Sequence, residues 1–262
     1  HKHGIKKFIS IETGIFKMKI RNLLTVITIS IVLLNPMIAK SDQFSELESG
    51  YYGHLADFFH QSREVPGHLE LALKNYLKAQ KPSLLWKISR CYWLMGEASV
   101  SSDNKIIYFE KGVIYAQKAL EEDAQNSKSY LWHALTLGSL ALEKGVMKMI
   151  YQKDVIKSAL EKTISLDPKN MDAYLGLASW YFHVPELLGG SKLKSFQIVN
   201  QALTIDHNYT MAYMIKADFL IKTQQQKQAK KILKILLKIK NPSSISGGIQ
   251  DKANAANLLS KL

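Results

Sequence analysis

Tyr174-Leu175-Gly176-Leu177-Ala178-Ser179-Trp180-Tyr181 decides the fold, because related stretches open at Trp86, Tyr130 and Tyr213, giving spacings of 44, 44 and 39 residues. At +3, +4 and +7 from the anchors stand Ser89, Arg90 and Trp93; His133, Ala134 and Leu137; Leu177, Ala178 and Tyr181; and Lys216, Ala217 and Leu220. That spacing marks one face of an α-helix. Each unit carries a second set at i, i+4 and i+7: Gly112, Ala116, Ala119; Ile156, Leu160, Thr163; Ser195, Val199, Ala202; and Ala229, Leu233, Leu236. Between units the chain reads Asp123-Ala124-Gln125-Asn126, Asp167-Pro168-Lys169-Asn170 and Asp206-His207-Asn208. There a short acceptor side chain ends one helix and starts the next.

These residues resemble the tetratricopeptide repeat, and the resemblance implies an all-α array of antiparallel helix hairpins, an α-solenoid. The family's period is about 34, so the surplus residues are expected to lengthen the inter-helix loops, around 96–105, 144–153 and 184–190. Arg90 and Lys216 depart from the family pattern. The predicted pairs are 83–97 with 105–121, 127–143 with 153–165, 170–183 with 191–204, and 209–223 with 225–238. Helices at 44–61 and 68–80 are expected to cover the first pair.

Composition agrees with a packed helical chain. Its 47% hydrophobic content supports a full core and its 22% charged residues argue against disorder. Few segments alternate at period two, and the prolines sit mostly at predicted turns, which disfavours a sheet. Residues 18–39 combine a basic start (Met18-Lys19-Ile20-Arg21), an uncharged run over 23–34 and a helix-breaking end at Asn35-Pro36. This reads as a secretory signal peptide cut after Ala39, the alternative being an uncleaved anchor that falls short of the ~20 residues a span requires. Residues 1–17 read as an upstream extension of the reading frame, and 40–262 as a single all-helical domain. Formal net charge is +13 over the whole chain. From Lys40 onward 29 basic residues face 21 acidic ones. An exported chain points away from nucleic acid, so this charge concerns solubility, acidic partners or lipid head groups.

Motifs that carry chemistry are few in this sequence. There is no paired-histidine helix motif, no cysteine pair for zinc, and Gly189-Gly190-Ser191-Lys192 lacks the spacing of a phosphate loop. His54 and His60 are six residues apart, off a shared helical face. Cys91 is the lone cysteine, inside a predicted helix, and reads as a small apolar filler with no lipid to carry. The expectation is therefore a non-enzyme with no catalytic residue, no metal and no cofactor. The basic amphipathic run 227–240 has two readings: a helix lying on a membrane surface, or the second helix of a repeat, with Ala229, Leu233 and Leu236 packed inward.

Carrying the repeat family's ligand-facing positions onto this chain gives a candidate partner or ligand groove of Leu84, Lys87, Leu94, Leu131, Leu135, Leu175, Phe182, Met214 and Asp218. Its rim is the third connector, with Pro185, Gly189 and Gly190. This side is largely apolar, which suits a hydrophobic small molecule, another subunit, or burial against the N-terminal helices.

The third unit also has a Tyr-rich helix, then Pro185, Leu187-Leu188, Gly189-Gly190 and an amphipathic helix ending near Ala202. This segment resembles the T component of tripartite ATP-independent periplasmic transporters. The resemblance implies a periplasmic, non-catalytic adaptor that docks the transporter's substrate-binding protein and aids transfer of an organic or hydrophobic ligand. It leaves a homo-oligomer open and assigns no nucleic acid. The rival is a general exported tetratricopeptide scaffold for envelope or secretion complexes.

Overall fold

The computed structural model describes residues 42–262, so the segments read as an upstream extension and a signal peptide lie outside the described residues. The chain falls into two units, 1–51 and Tyr52–Leu262, and the array below belongs to the second. The described residues form eleven α-helices and no strand. These are α1 (Asp42–Gln61), α2 (His68–Ala79), α3 (Leu85–Ala98), α4 (Ser102–Glu122), α5 (Ser127–Glu143) and α6 (Val146–Leu166), then α7 (Met171–His183), α8 (Lys192–Ile205), α9 (Thr210–Lys222), α10 (Gln226–Lys238) and α11 (Ile245–Lys261).

The turns between hairpins form as their residues dictate. Asp123, Asp167 and Asp206 each accept from the backbone N–H two residues on, at 2.9, 3.3 and 2.9 Å. These Asx turns reverse the chain without a glycine. Asn126 and Asn170 then cap α5 and α7 by accepting from the backbone N–H of Lys128 and Ala173, at 3.0 and 3.1 Å. The anchor tyrosines lock the same turns. The hydroxyls of Tyr130, Tyr174 and Tyr213 donate to the carbonyls of Ala124, Pro168 and His207, six residues back, at 3.2, 3.2 and 3.0 Å. Trp86, the first anchor, has no hydroxyl, and its ring instead faces Lys87, Arg90 and Lys128 at 5.6, 5.1 and 4.7 Å.

Helices α3, α5, α7 and α9 stack on one another as first helices of hairpins, with α4, α6, α8 and α10 as their partners. Each second helix also packs on the next first helix, and α11, against α9 and α10, takes the place of a fifth first helix. This is the tetratricopeptide-like array that the periodicity implied. Small residues set the close approaches: Ala116, Ala178, Ala202, Ala217 and Ala229 are fully buried. Ser89 donates its hydroxyl to the carbonyl of Gly112 at 2.8 Å, and a Cβ on Gly112 would lie 2.6 Å from Thr136 Cγ2.

The surplus residues of the first two units become helix. α4 and α6 are each 21 residues long, leaving only 99–101 and 144–145 as connectors. α4 is tied to the end of α5 through Lys105 to Glu143 at 2.9 Å and Lys144 to Glu110 at 2.5 Å. The third connector stays irregular. Gly189 has φ +98, and a Cβ on Gly190 would sit 1.7 Å from the Val184 carbonyl oxygen, so that close approach of two backbone segments admits glycine alone. Ser191 caps α8 by accepting from the Lys194 N–H at 3.2 Å.

Of the two readings of 227–240, the structure has the packed one, with Ala229, Leu233 and Leu236 at 0% exposure. Burying each leucine stabilises the fold by about 1.5–3 kcal/mol.

Candidate functional site: the first-helix side

In the first unit, Leu84 and Lys87 of the expected groove lie against α1 and α2. Leu84 and Cys91 pack with Ala56 and Phe59 of α1 and with Ala72 and Tyr76 of α2. Lys87 Nζ pairs with Asp57 at 2.6 and 2.8 Å, and the Tyr76 hydroxyl donates to the same carboxylate at 2.5 Å. Burial alone would raise the Asp57 pKa, but Lys87 and Tyr76 outweigh it and hold the carboxyl below its ordinary value. Burial pushes the Cys91 thiol up to about 12, leaving it protonated and unreactive.

The remaining groove residues are distributed along the array. Leu131 and Leu175 are 2% exposed and sit in successive core clusters. Leu94 and Leu135 are half-buried. Phe182 stacks on Phe219 with centroids 4.1 Å apart, Met214 packs against the Leu233 cluster, and Asp218 pairs with Lys222 at 2.8 Å. The structure does bring Phe182 and the rim residue Pro185 together. They line an open depression of about 440 Å³ with Tyr181, His183, Glu186 and Lys192. Gly189 and Gly190 serve the connector behind it.

A polar cluster escaped the sequence reading. After α1, Arg63 donates to the His60 carbonyl at 3.3 Å, and Glu64 accepts from Ser246 of α11 at 2.5 Å. Nearby, Asp251 accepts from Thr210 at 2.6 Å, and the Tyr209 hydroxyl donates to Asp172. Burial raises the pKa of both Asp172 and Asp251. His60 Nε2 and Arg90 Nε are buried without a hydrogen-bond partner among the described residues. Burial, with Arg90, Arg63 and Lys87 adding to it, pushes the His60 ring down to about 2. Arg90, standing where the repeat prefers a small residue, was the one sequence signal of this cluster.

Ser62 Oγ lies 2.8 Å from His68 Nδ1, a contact with the elements of a nucleophile and a base. The same hydroxyl reaches the Phe58 carbonyl at 3.1 Å, so the pair closes the turn between α1 and α2. Among the described residues no carboxylate hydrogen-bonds His68, no group of His, Cys, Asp and Glu converges to hold a metal, and no helix is long and apolar enough to cross a membrane.

Comparison with known proteins places this architecture. The family model "Regulator of microtubule dynamics protein 1-3" matches residues 54–189. Regulator of microtubule dynamics protein 3 from Bos taurus is 30% identical over 135 residues, 50% of this chain and 29% of that protein. The protein 3 of Rattus norvegicus is 27% identical over 168 residues, 63% of this chain and 36% of that protein. Protein 1 of Bos taurus is 27% identical over 134 residues, 50% of this chain and 42% of that one. The chain thus spans well under half the length of these relatives. A thermophilic TPR protein of Thermus thermophilus superposes with a TM-score of 0.60 at 14% identity, covering 81% of this chain and 99% of that one, which speaks to the fold alone.

These matches correct the resemblance to the transporter T component. The substrate-binding protein as partner, transfer of an organic or hydrophobic ligand, the exported envelope or secretion scaffold and the periplasmic location all fall with it, since the matched relatives are animal regulators of microtubule dynamics. The physical reason is local. Proline followed by Gly-Gly between an aromatic and an amphipathic helix is what the steric closure at Gly190 demands of this hairpin, whatever the hairpin serves.

Proposed function

Because the chain belongs to the regulator of microtubule dynamics protein 1-3 family, we propose that it is a non-catalytic docking module that acts on microtubule dynamics by binding the polymer. One observation carries this reading: the matched stretch, 54–189, runs from the middle of α1 to the end of the third hairpin's connector. It is a run of stacked hairpins, and stacked hairpins offer long surfaces rather than a reactive centre. Within it Asp57 pairs with Lys87 and Glu143 with Lys105, tying neighbouring helices together.

In this reading the first-helix side is a partner-binding face. Leu94, Leu135, Phe182 and Met214 contribute its half-buried apolar positions, while Pro185, Gly189 and Gly190 form its rim. The depression shared by Phe182 and Pro185 supports that role.

The test is sedimentation of the purified chain with polymerised tubulin, together with growth and shortening rates of single microtubules. Co-pelleting with altered rates is expected. A chain that stays in the supernatant and leaves the rates unchanged overturns the reading.

A further inference from the structure

The C-terminal part of the array carries an unbalanced positive charge. From Phe219 to Gln250 the chain has no Asp or Glu, yet it carries Lys222, Lys227, Lys230, Lys231, Lys234, Lys238 and Lys240. On α10, Lys227, Lys230, Lys231, Lys234 and Lys238 fall within an arc of roughly 100° over about 16 Å of helix axis. The opposite face is spent inside the fold: Ala229, Leu233 and Leu236 are fully buried, and Ile232 and Leu237 pack beside Tyr213, Leu258 and Leu259.

Several lysines elsewhere on the array are neutralised. Lys105, Lys144, Lys157 and Lys222 are each paired with a carboxylate. The five lysines of α10 form no ion pair among the described residues. The flanking acids are engaged, Asp218 with Lys222 and the buried Asp251 with Thr210. Lys227 with Lys231, Lys230 with Lys234 and Lys234 with Lys238 are like charges at i,i+4, which weaken a helix. No carboxylate among the described residues pairs with them to offset that repulsion, and an acidic partner would.

We propose that the lysine face of α10 is a docking surface for an acidic protein surface; choosing the microtubule as its bearer rests on the function proposed above. A lipid bilayer fits less well. Interfacial helices bury an apolar face, and here that face is already covered, with Ile235 the main apolar side chain left exposed on α10. Single-stranded nucleic acid would use stacking aromatics, and α10 has none. The surface lies outside the stretch matched to the family model, 54–189.

The experiment uses the full chain against two probes, polymerised tubulin and a glutamate-rich peptide, over a range of salt. Binding to both should fall steeply as salt rises. The triple variant Lys227→Glu, Lys231→Glu, Lys234→Glu should weaken it about tenfold or more, with the helical signal unchanged. A charge-matched control, Lys111→Glu, Lys118→Glu, Lys148→Glu, should stay within about twofold of the parent. Peptide binding that depends on α10 without any tubulin binding would support the surface and overturn the microtubule function. Equal losses in the two triple variants, or none in the first, would overturn the surface. Binding to phosphatidylserine vesicles but to neither acidic probe would overturn the choice of a protein partner.

Discussion

Ser246 donates its hydroxyl to Glu64 at 2.5 Å across a sequence separation of 182 residues. The bond joins the first turn of α11 to the turn after α1, so the two ends of the array constrain each other. Ser246→Ala should cost about 1 kcal/mol. The sharper readout is hydrogen exchange, which should accelerate over the first turns of α11 and stay unchanged in α5. Unaltered exchange in α11 would show that the bond does not hold this end.

Gly112 should resist any side chain. An added Cβ would meet Thr136 Cγ2 at 2.6 Å, so Gly112→Ala is expected to destabilise by about 1–3 kcal/mol through overpacking. Gly138 is the internal control. Its nearest neighbour would be Ile156 Cγ2 at 3.9 Å, an ordinary contact, and alanine there should stabilise the helix by up to about 1 kcal/mol. Urea midpoints for the two variants should move in opposite directions, and a shared direction would refute the packing assigned to Gly112.

The three anchor hydroxyls offer a test of the repeat itself. Tyr130→Phe, Tyr174→Phe and Tyr213→Phe each remove one bond to a turn carbonyl and should each cost about 1 kcal/mol. Because the sites lie in separate hairpins, the triple variant should lose close to the sum. A negligible effect of all three would mean that the turns hold without their tyrosines.

His60 predicts a pH dependence. Its native pKa is pushed down to about 2 from an ordinary 6.5, so below 6.5 the unfolded chain takes up a proton that the native chain refuses. Its contribution to stability is complete above 6.5 and declines with acidification, by about 1.4 kcal/mol per pH unit while only the unfolded state is protonated. His133 and His183, lowered by burial, act in the same sense, whereas Asp172, Asp251 and Glu97, raised by burial, oppose it at more acid pH. His60→Phe should flatten the stability profile between neutrality and about pH 5. An identical slope in the parent and the variant would exclude His60 as its source.

What could be read from the sequence follows from where the physics is local. The Asp-x-x-Asn turns and the 3.6-residue apolar spacing are short-range signals, and the helices from α3 to α10 stand within three residues of expectation except at the start of α6, seven residues early. The surplus residues were misplaced into loops because a period longer than the family's does not say whether the extra chain is coil or helix. The extra residues extend α4 and α6 at their N-terminal ends, from 102 and 146. α11 lies beyond the four hairpins that the repeat spacing marks, and Ser244 caps it by accepting from the Gly247 N–H at 3.1 Å. The cluster around His60, Arg63 and Arg90 depends on contacts between α1, α3 and the far end of the array, which no periodicity encodes.

Cys91 gives the covered first unit a further consequence. It is the chain's single cysteine, fully buried against α1 and α2, with its thiol pushed up to about 12 by burial. A maleimide or iodoacetamide in solution therefore meets no thiolate until α1 lifts away from α3. Each labelled molecule records one such departure, and the labelling rate, compared with that of the unfolded chain, becomes a clock for how often the N-terminal cover comes off.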